Sequence, residues 1–189
     1  VFTQVWRSGS GAVADLDKGF CEAVIKLCQE LEERDGRVSD DKLHKSVRSN
    51  TVFSVDHPDF KRLVYHWTTV ANVEAGWNFD LNNIEPLQLS KYQSNQHYGW
   101  HTDVRPSDGA SMRKLTFNVL LNDGFDGGDF QFSWGTPSAT YKKRTITEEA
   151  MRTPGRIVVF PSFYWHRVLP VISGVRYSLT GWVTGPPFR

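Results

Sequence analysis

The chain has 189 residues, 39% hydrophobic and 23% charged, enough for one domain with a buried core and unlike a disordered or fibrous protein. Twenty-two basic residues against 21 acidic leave a net charge of +1, without the basic excess of a nucleic-acid binder. No apolar run is long enough to span a bilayer, and the 13% aromatic share favours strands.

The first segment reads as a helix from Asp15 to Gly36. Leu16, Phe20, Val24, Leu27 and Leu31 recur at steps of three and four, with Asp15 as N-cap and Gly36 as stop. Cys21 and Cys28 then lie two helical turns apart, about 10 Å between Cα atoms, too far for a disulfide. No secretory leader is recognisable at Val1, and unpaired cysteines point to a reducing, cytoplasmic setting. A second helix is expected from Pro58 to Val73, with Pro58 at its first position and an apolar stripe of Phe60, Leu63, Val64 and Trp67.

After about residue 80 short strand-like runs alternate with Gly, Asn and Asp clusters. The expected strands are Leu87–Tyr92, Tyr98–Asp103, Lys114–Leu121, Asp129–Trp134, Arg156–Phe160, Arg167–Val171 and Tyr177–Val183. Gly127-Gly128 and Pro154-Gly155 punctuate them. Thr136–Thr153 reads as a polar insertion with a helical turn at Thr147–Met151, and its basic run Lys142-Lys143-Arg144 as a solvated loop. Helices followed by many short strands predict a mainly β fold, a jelly roll with N-terminal helices packed on one sheet. One domain is expected over residues 1–189, helical to about residue 80 and a jelly-roll core from about 81.

Two histidines and a carboxylate that leave coordination positions open suit Fe(II). His101-x-Asp103 on a strand would aim both side chains to one face, and His166 follows much later in the chain. Alone, His-x-Asp is weak. The chain holds a second pair, His57 and Asp59, but Pro58 between them marks a helix start, where residues i and i+2 diverge. Arg176, at the start of a later strand, makes the combination His101, Asp103, His166, Arg176 stronger than any lone histidine beside an aromatic residue.

The full pattern is Tyr92-x5-Tyr98-x2-His101-x-Asp103, Arg113–Leu121, Gly127-Gly128-Asp129-Phe130, Pro154-Gly155, His166-Arg167-Val168-x-Pro170-Val171 and Gly174-Val175-Arg176-Tyr177. It resembles the prolyl 4-hydroxylase-like branch of the 2-oxoglutarate/Fe(II)-dependent oxygenases over roughly residues 85–184, with a looser likeness at Ser46-Val47-Arg48-Ser49. The resemblance implies a double-stranded β-helix with iron in the barrel mouth, held by His101, Asp103 and His166. It implies that Arg176 holds the distal carboxylate of 2-oxoglutarate, with Tyr92, Thr180 and Asn118 nearby, and that Arg113 and Trp182 meet the substrate. Asn118 stands in for a tyrosine that relatives carry where this chain has Leu120, and Arg176 replaces the lysine of many collagen-type enzymes. The carboxylate of Asp103 favours hydroxylation over halogenation.

The implied cofactors are Fe(II), 2-oxoglutarate and O2, with ascorbate as an accessory reductant. The expected reaction hydroxylates a C–H bond, first of all in a prolyl residue of a protein or peptide, and releases succinate and CO2. Hydroxylation of a free amino acid or small metabolite is the alternative, and a non-catalytic jelly-roll binding module stands further off. No nucleic-acid or membrane partner is expected. Gly36–Asn50 and Ser133–Thr153 are candidate loops over the substrate.

Overall fold

The computed structural model describes residues 6–8, 11–27, 29–36, 44–104, 111–133, 135–137, 145–147 and 149–188. Cys28, the Lys142–Arg144 run and parts of both candidate closing loops lie outside the described residues. The elements run β1 (Trp6–Ser8), β2 (Gly11–Asp15), α1 (Lys18–Leu27), β3 (Arg34–Asp35), β4 (Arg48–Ser49), β5 (Thr51–Val55) and α2 (Pro58–Glu74). They continue with β6 (Asn83–Ile84), β7 (Leu87–Tyr92), β8 (His97–His101), β9 (Met112–Leu120), β10 (Asp126–Gly127), β11 (Phe130–Ser133) and β12 (Thr145–Thr147). A 3-10 turn (Glu149–Arg152) precedes β13 (Arg156–Pro161), β14 (Trp165–Val168), β15 (Val171–Ser173) and β16 (Arg176–Gly185).

The expected mainly β architecture is present. Two antiparallel sheets form the jelly roll: a large one in the order β1-β2-β13-β9-β16-β7-β5-β3, with β6 on the end of β16, and a smaller one in the order β12-β11-β14-β8-β4. Period two divides the large sheet. Phe53, Leu87, Leu89, Leu115, Phe117, Ile157, Leu179 and Val183 pack with Phe20, Val24, Val64 and Ala71 of the two helices. The alternate residues of the same strands, among them Ser90, Tyr92, Asn118, Val158, Phe160 and Thr180, look into the barrel. There they meet Phe130, Phe132 and Val168 of the smaller sheet.

Several boundaries differ from expectation. Asp15 ends β2, in register with Arg156, and the helix begins three residues later. Asp17 takes the capping role, its Oδ1 accepting from the Phe20 N–H at 2.8 Å. The helix stops at Leu27 in three-residue turns, Gln29 N–H to Lys26 O and Glu30 N–H to Leu27 O. Leu31 still packs on the core from beyond the helix, which is why the apolar spacing runs past the helix end. Arg34–Asp35 is a strand edge paired with β5, so the first 80 residues contribute strands as well as two helices.

The second helix starts as expected, with Pro58 at its first turn and His57 extended before it (φ −99°, ψ 118°). The strand expected over Arg167–Val171 is two strands. Pro170, which lacks an N–H, separates them, and His166 lies inside the first. Thr147 ends β12, so the helical turn starts later than its expected position.

Candidate active site

The site is an open cleft inside the barrel between the two sheets. Strand pairing brings two of its side chains together directly, because His166 on β14 is the register partner of His101 on β8. Asp103 arrives differently. The strand ends at His101, so pleat alternation does not aim the carboxylate. Instead the Asp103 N–H donates to the Ser162 carbonyl at 2.8 Å, and the Thr116 hydroxyl donates to Asp103 Oδ2 at 2.8 Å. The expectation that Asp103 lies within the strand is corrected, while its meeting with His101 stands.

Ligating atoms of His101, Asp103 and His166 all lie within 4.8 Å of one another. His166 Nε2 is 3.4 Å from Asp103 Oδ2, and His101 Nε2 is 3.8 Å from Oδ1. Each ring's Nδ1 faces a backbone carbonyl, Gly99 O at 2.8 Å for His101 and Tyr164 O at 2.9 Å for His166. A carbonyl only accepts, so Nδ1 of each ring carries a proton and Nε2 is the nitrogen turned toward Asp103. This is how metal-binding histidines are oriented. Burial, then the proximity of His166, pushes His101 down to about 3. Burial resists ionisation of Asp103 but is outweighed by His166 and then by His101 and Arg113, which hold its carboxyl well below the usual carboxylate range. Two imidazoles with Nε2 turned to one point and an anionic carboxylate form the donor set that fits Fe(II).

Behind the triad the cleft is polar. Asn118 Nδ2 donates to Thr180 Oγ1 at 2.6 Å, and the Asn118 carbonyl oxygen has no partner among the described residues. Tyr92 lines the wall. Arg176, opposite Tyr92 in the β7–β16 register, is 0% exposed and is not among the residues lining the open cleft. Its Nη1 donates to Ser178 Oγ at 2.9 Å, while Nε and Nη2 have no partner among the described residues. Burial pushes its pKa down to about 10, so it remains a cation. A buried guanidinium with two nitrogens unpartnered among the described residues is costly, and its planar fork matches a carboxylate. Gly128 makes room for it. At φ +64° a side chain there would be strained, and a Cβ would come within 3.0 Å of Arg176 Cδ.

At the mouth, Arg113 stacks on Trp182, its guanidinium carbon 3.8 Å from the ring centroid. Glu85 clamps the same guanidinium in a bidentate pair, at 2.7 Å to Nε and 2.5 Å to Nη2. The Trp182 indole N–H is buried and has no partner among the described residues. Every expected site residue except Arg176 therefore lines one cleft.

Tyr98 also lines that cleft, stacked flat on His101 at 3.6 Å between centroids, with the Arg48 guanidinium carbon 4.4 Å from the Tyr98 centroid. Burial pushes the Tyr98 phenol up to about 12, so it stays protonated. Roles for Gln88, Ser90, Glu85, Thr116 and Ser162 were not anticipated. Gln88 and Ser90 share period two with Tyr92, a usable signal. Glu85 and Ser162 sit outside any periodic run and give none. His57, whose ring stacks on Phe60 at 4.4 Å, joins no metal-competent group among the described residues. Cys21 is buried and not in a disulfide, and no helix among the described residues is long and apolar enough to cross a membrane.

With this geometry in hand, comparison with known proteins is specific. The model of the 2OG-Fe(II) oxygenase superfamily matches residues 87–184, and the chain belongs to that family. A PKHD-type hydroxylase of Synechococcus sp. (strain CC9605) is 31% identical over 105 residues, 54% of this chain and 43% of the relative. Another, from Synechococcus sp. (strain CC9311), is 25% identical over 177 residues, 89% of this chain and 74% of the relative. The chain spans less than half the length of the first of these. Among solved structures, a Pseudomonas putida prolyl-4-hydroxylase has the same fold, with a TM-score of 0.67 at 20% identity, covering 89% of this chain and 87% of that one. A Trichoplax adhaerens prolyl hydroxylase, solved with a hypoxia-inducible-factor peptide fragment, has a TM-score of 0.63 at 18% identity, covering 86% and 74%.

Proposed function

We propose that the chain is a 2-oxoglutarate- and Fe(II)-dependent hydroxylase acting on a prolyl residue of a protein or peptide. The observation that carries this reading is the pairing of two features in one barrel. One is a triad of two imidazole Nε2 atoms and a carboxylate, and the other is a wholly buried arginine with two nitrogens unpartnered among the described residues. A binding module without chemistry would have no use for both.

His101, Asp103 and His166 would hold the iron, and Arg176 would hold the distal carboxylate of 2-oxoglutarate. When bound there with O2, iron and the keto acid supply the oxidising power that inserts one oxygen atom into a C–H bond, with release of succinate and CO2. The protein's own share is placement and exclusion of side reactions. The carbonyls of Gly99 and Tyr164 hold the two imidazoles with Nε2 forward. Tyr92, Asn118 and Thr180 line the cleft with the triad, and the Asn118 oxygen, unpartnered among the described residues, can accept a hydrogen bond. Asp103 fills the third ligand position as a carboxylate, which favours hydroxyl transfer over halide transfer.

The mouth supports a peptide. A flat indole suits a proline ring, which loses little entropy when bound, and the unpartnered Trp182 N–H suits a backbone carbonyl. A free amino acid has a weaker anchor, because the mouth cation Arg113 is already clamped by Glu85. Incubating the chain with Fe(II), 2-oxoglutarate and either proline-containing peptides or an amino-acid panel separates the readings. A gain of one oxygen on peptidyl proline, with stoichiometric succinate, is expected. Oxygen gain only on a free amino acid would move the assignment to the small-molecule alternative.

A further inference from the structure

Asp103 has left the strand that carries His101, so something other than the pleat must aim its carboxylate. We infer that Thr116 and Ser162 are positioning residues that hold Asp103 Oδ2 and leave Oδ1 as the oxygen offered to the metal. This rests on the reading of the triad as a metal site.

Thr116 lies on β9, on the same inward face as Asn118 by period two, and is 1% exposed, while Ser162 is 0% exposed. The Thr116 hydroxyl lies 2.8 Å from Asp103 Oδ2 and 3.0 Å from the Ser162 hydroxyl. An ionised carboxylate only accepts, so Thr116 must spend its one hydrogen on Asp103. Ser162 must then donate to Thr116. The direction of the chain, Ser162 to Thr116 to Asp103, follows without freedom, and each bond strengthens the next.

Ser162 grips Asp103 a second time through its backbone, because its carbonyl accepts the Asp103 N–H at 2.8 Å. Its own N–H donates to Lys114 O at 3.0 Å, tying the turn after β13 to β9. Both oxygens of the carboxylate are therefore distinguished before any metal arrives. Oδ2 accepts from a buried hydroxyl and lies 3.4 Å from His166 Nε2, whereas no hydroxyl among the described residues donates to Oδ1, which faces His101 Nε2 at 3.8 Å. Hydrogen bonds of this outer kind typically contribute about 10–100-fold to metal affinity.

The test uses the whole chain and anaerobic titration with Co(II), whose visible absorption reports coordination number. Thr116→Val keeps the shape and β-branching and removes the hydroxyl. It should weaken Co(II) binding by about 10–100-fold and change the band intensity as Oδ2 is released toward the metal. Thr116→Ser restores the hydroxyl and should bring affinity and spectrum back near those of the unsubstituted chain. Ser162→Ala keeps the backbone grip and should give a smaller loss. Unchanged affinity and spectrum in Thr116→Val would overturn the inference, as would a Thr116→Ser chain, folded by circular dichroism, that falls as far as the valine variant. Failure of the unsubstituted chain to bind Co(II) at all would instead overturn the reading of the triad, and this inference with it.

Discussion

At the triad, a carbonyl at each Nδ1 turns Nε2 toward Asp103, and His101, Asp103 and His166 form the metal-competent group among the described residues. His101→Ala, Asp103→Ala and His166→Ala should each remove nearly all Fe(II) binding in an anaerobic titration. His57→Ala should leave it intact, since that histidine stacks on Phe60 at the start of a helix. Retained binding without His166, or lost binding without His57, would contradict the assignment. Arg176 makes a second prediction. Removing one partner of a buried charge pair typically costs about 3–5 kcal/mol, so Arg176→Ala should raise the 2-oxoglutarate KM by roughly a hundredfold or more while Fe(II) affinity changes little. Arg176→Lys keeps the charge without the fork and should fall between. Unchanged kinetics in 2-oxoglutarate would mean that another group binds it. The ligands and Arg176 were legible in the chain because their residue types are unusual in that order. Thr116 and Ser162 were not, because the contact that gives them meaning joins residues 46 positions apart.

At the scale of elements, strands were read better than helix ends. Leu87–Tyr92 stood out because its alternation reflects two different environments, helices on one face and the cleft on the other. The first helix was overextended because Leu31 keeps helical spacing while packing from a turn. The cap moved with it, giving a direct check. Asp17→Ala should lower stability by about 1 kcal/mol, read as a shifted urea midpoint with unchanged slope. No change on removing Asp17 would mean that its 2.8 Å bond to the Phe20 N–H adds nothing. The β1–β2 hairpin was invisible for a different reason. Gly11–Asp15 carries little apolar alternation, and its partner is β13, more than 140 residues away, so only the tertiary pairing makes it a strand.

For the whole molecule, the large sheet does two jobs with its two faces, one packing on the helices and the other lining the cleft, with Arg176 buried outside the lining and Arg113 stacked on Trp182 within it. On the proposed function, Arg176 would hold the cosubstrate and Arg113 and Trp182 would meet the substrate. Trp182→Phe and Arg113→Ala should therefore leave decarboxylation of 2-oxoglutarate without substrate largely intact, and should sharply reduce peptide hydroxylation, more so for Arg113→Ala. Loss of both activities with a lowered Tm would make the pair structural. Untouched coupled activity in a stable protein would mean that the substrate enters elsewhere.

The most direct test of the whole account is one reaction followed by two products. The chain is incubated with Fe(II), 2-oxoglutarate, O2 and proline-containing peptides, and succinate is quantified alongside peptide mass. The account predicts succinate that depends on Fe(II), matched by one added oxygen atom on proline. A folded, metal-loaded chain that forms no succinate with any peptide or amino acid would contradict it.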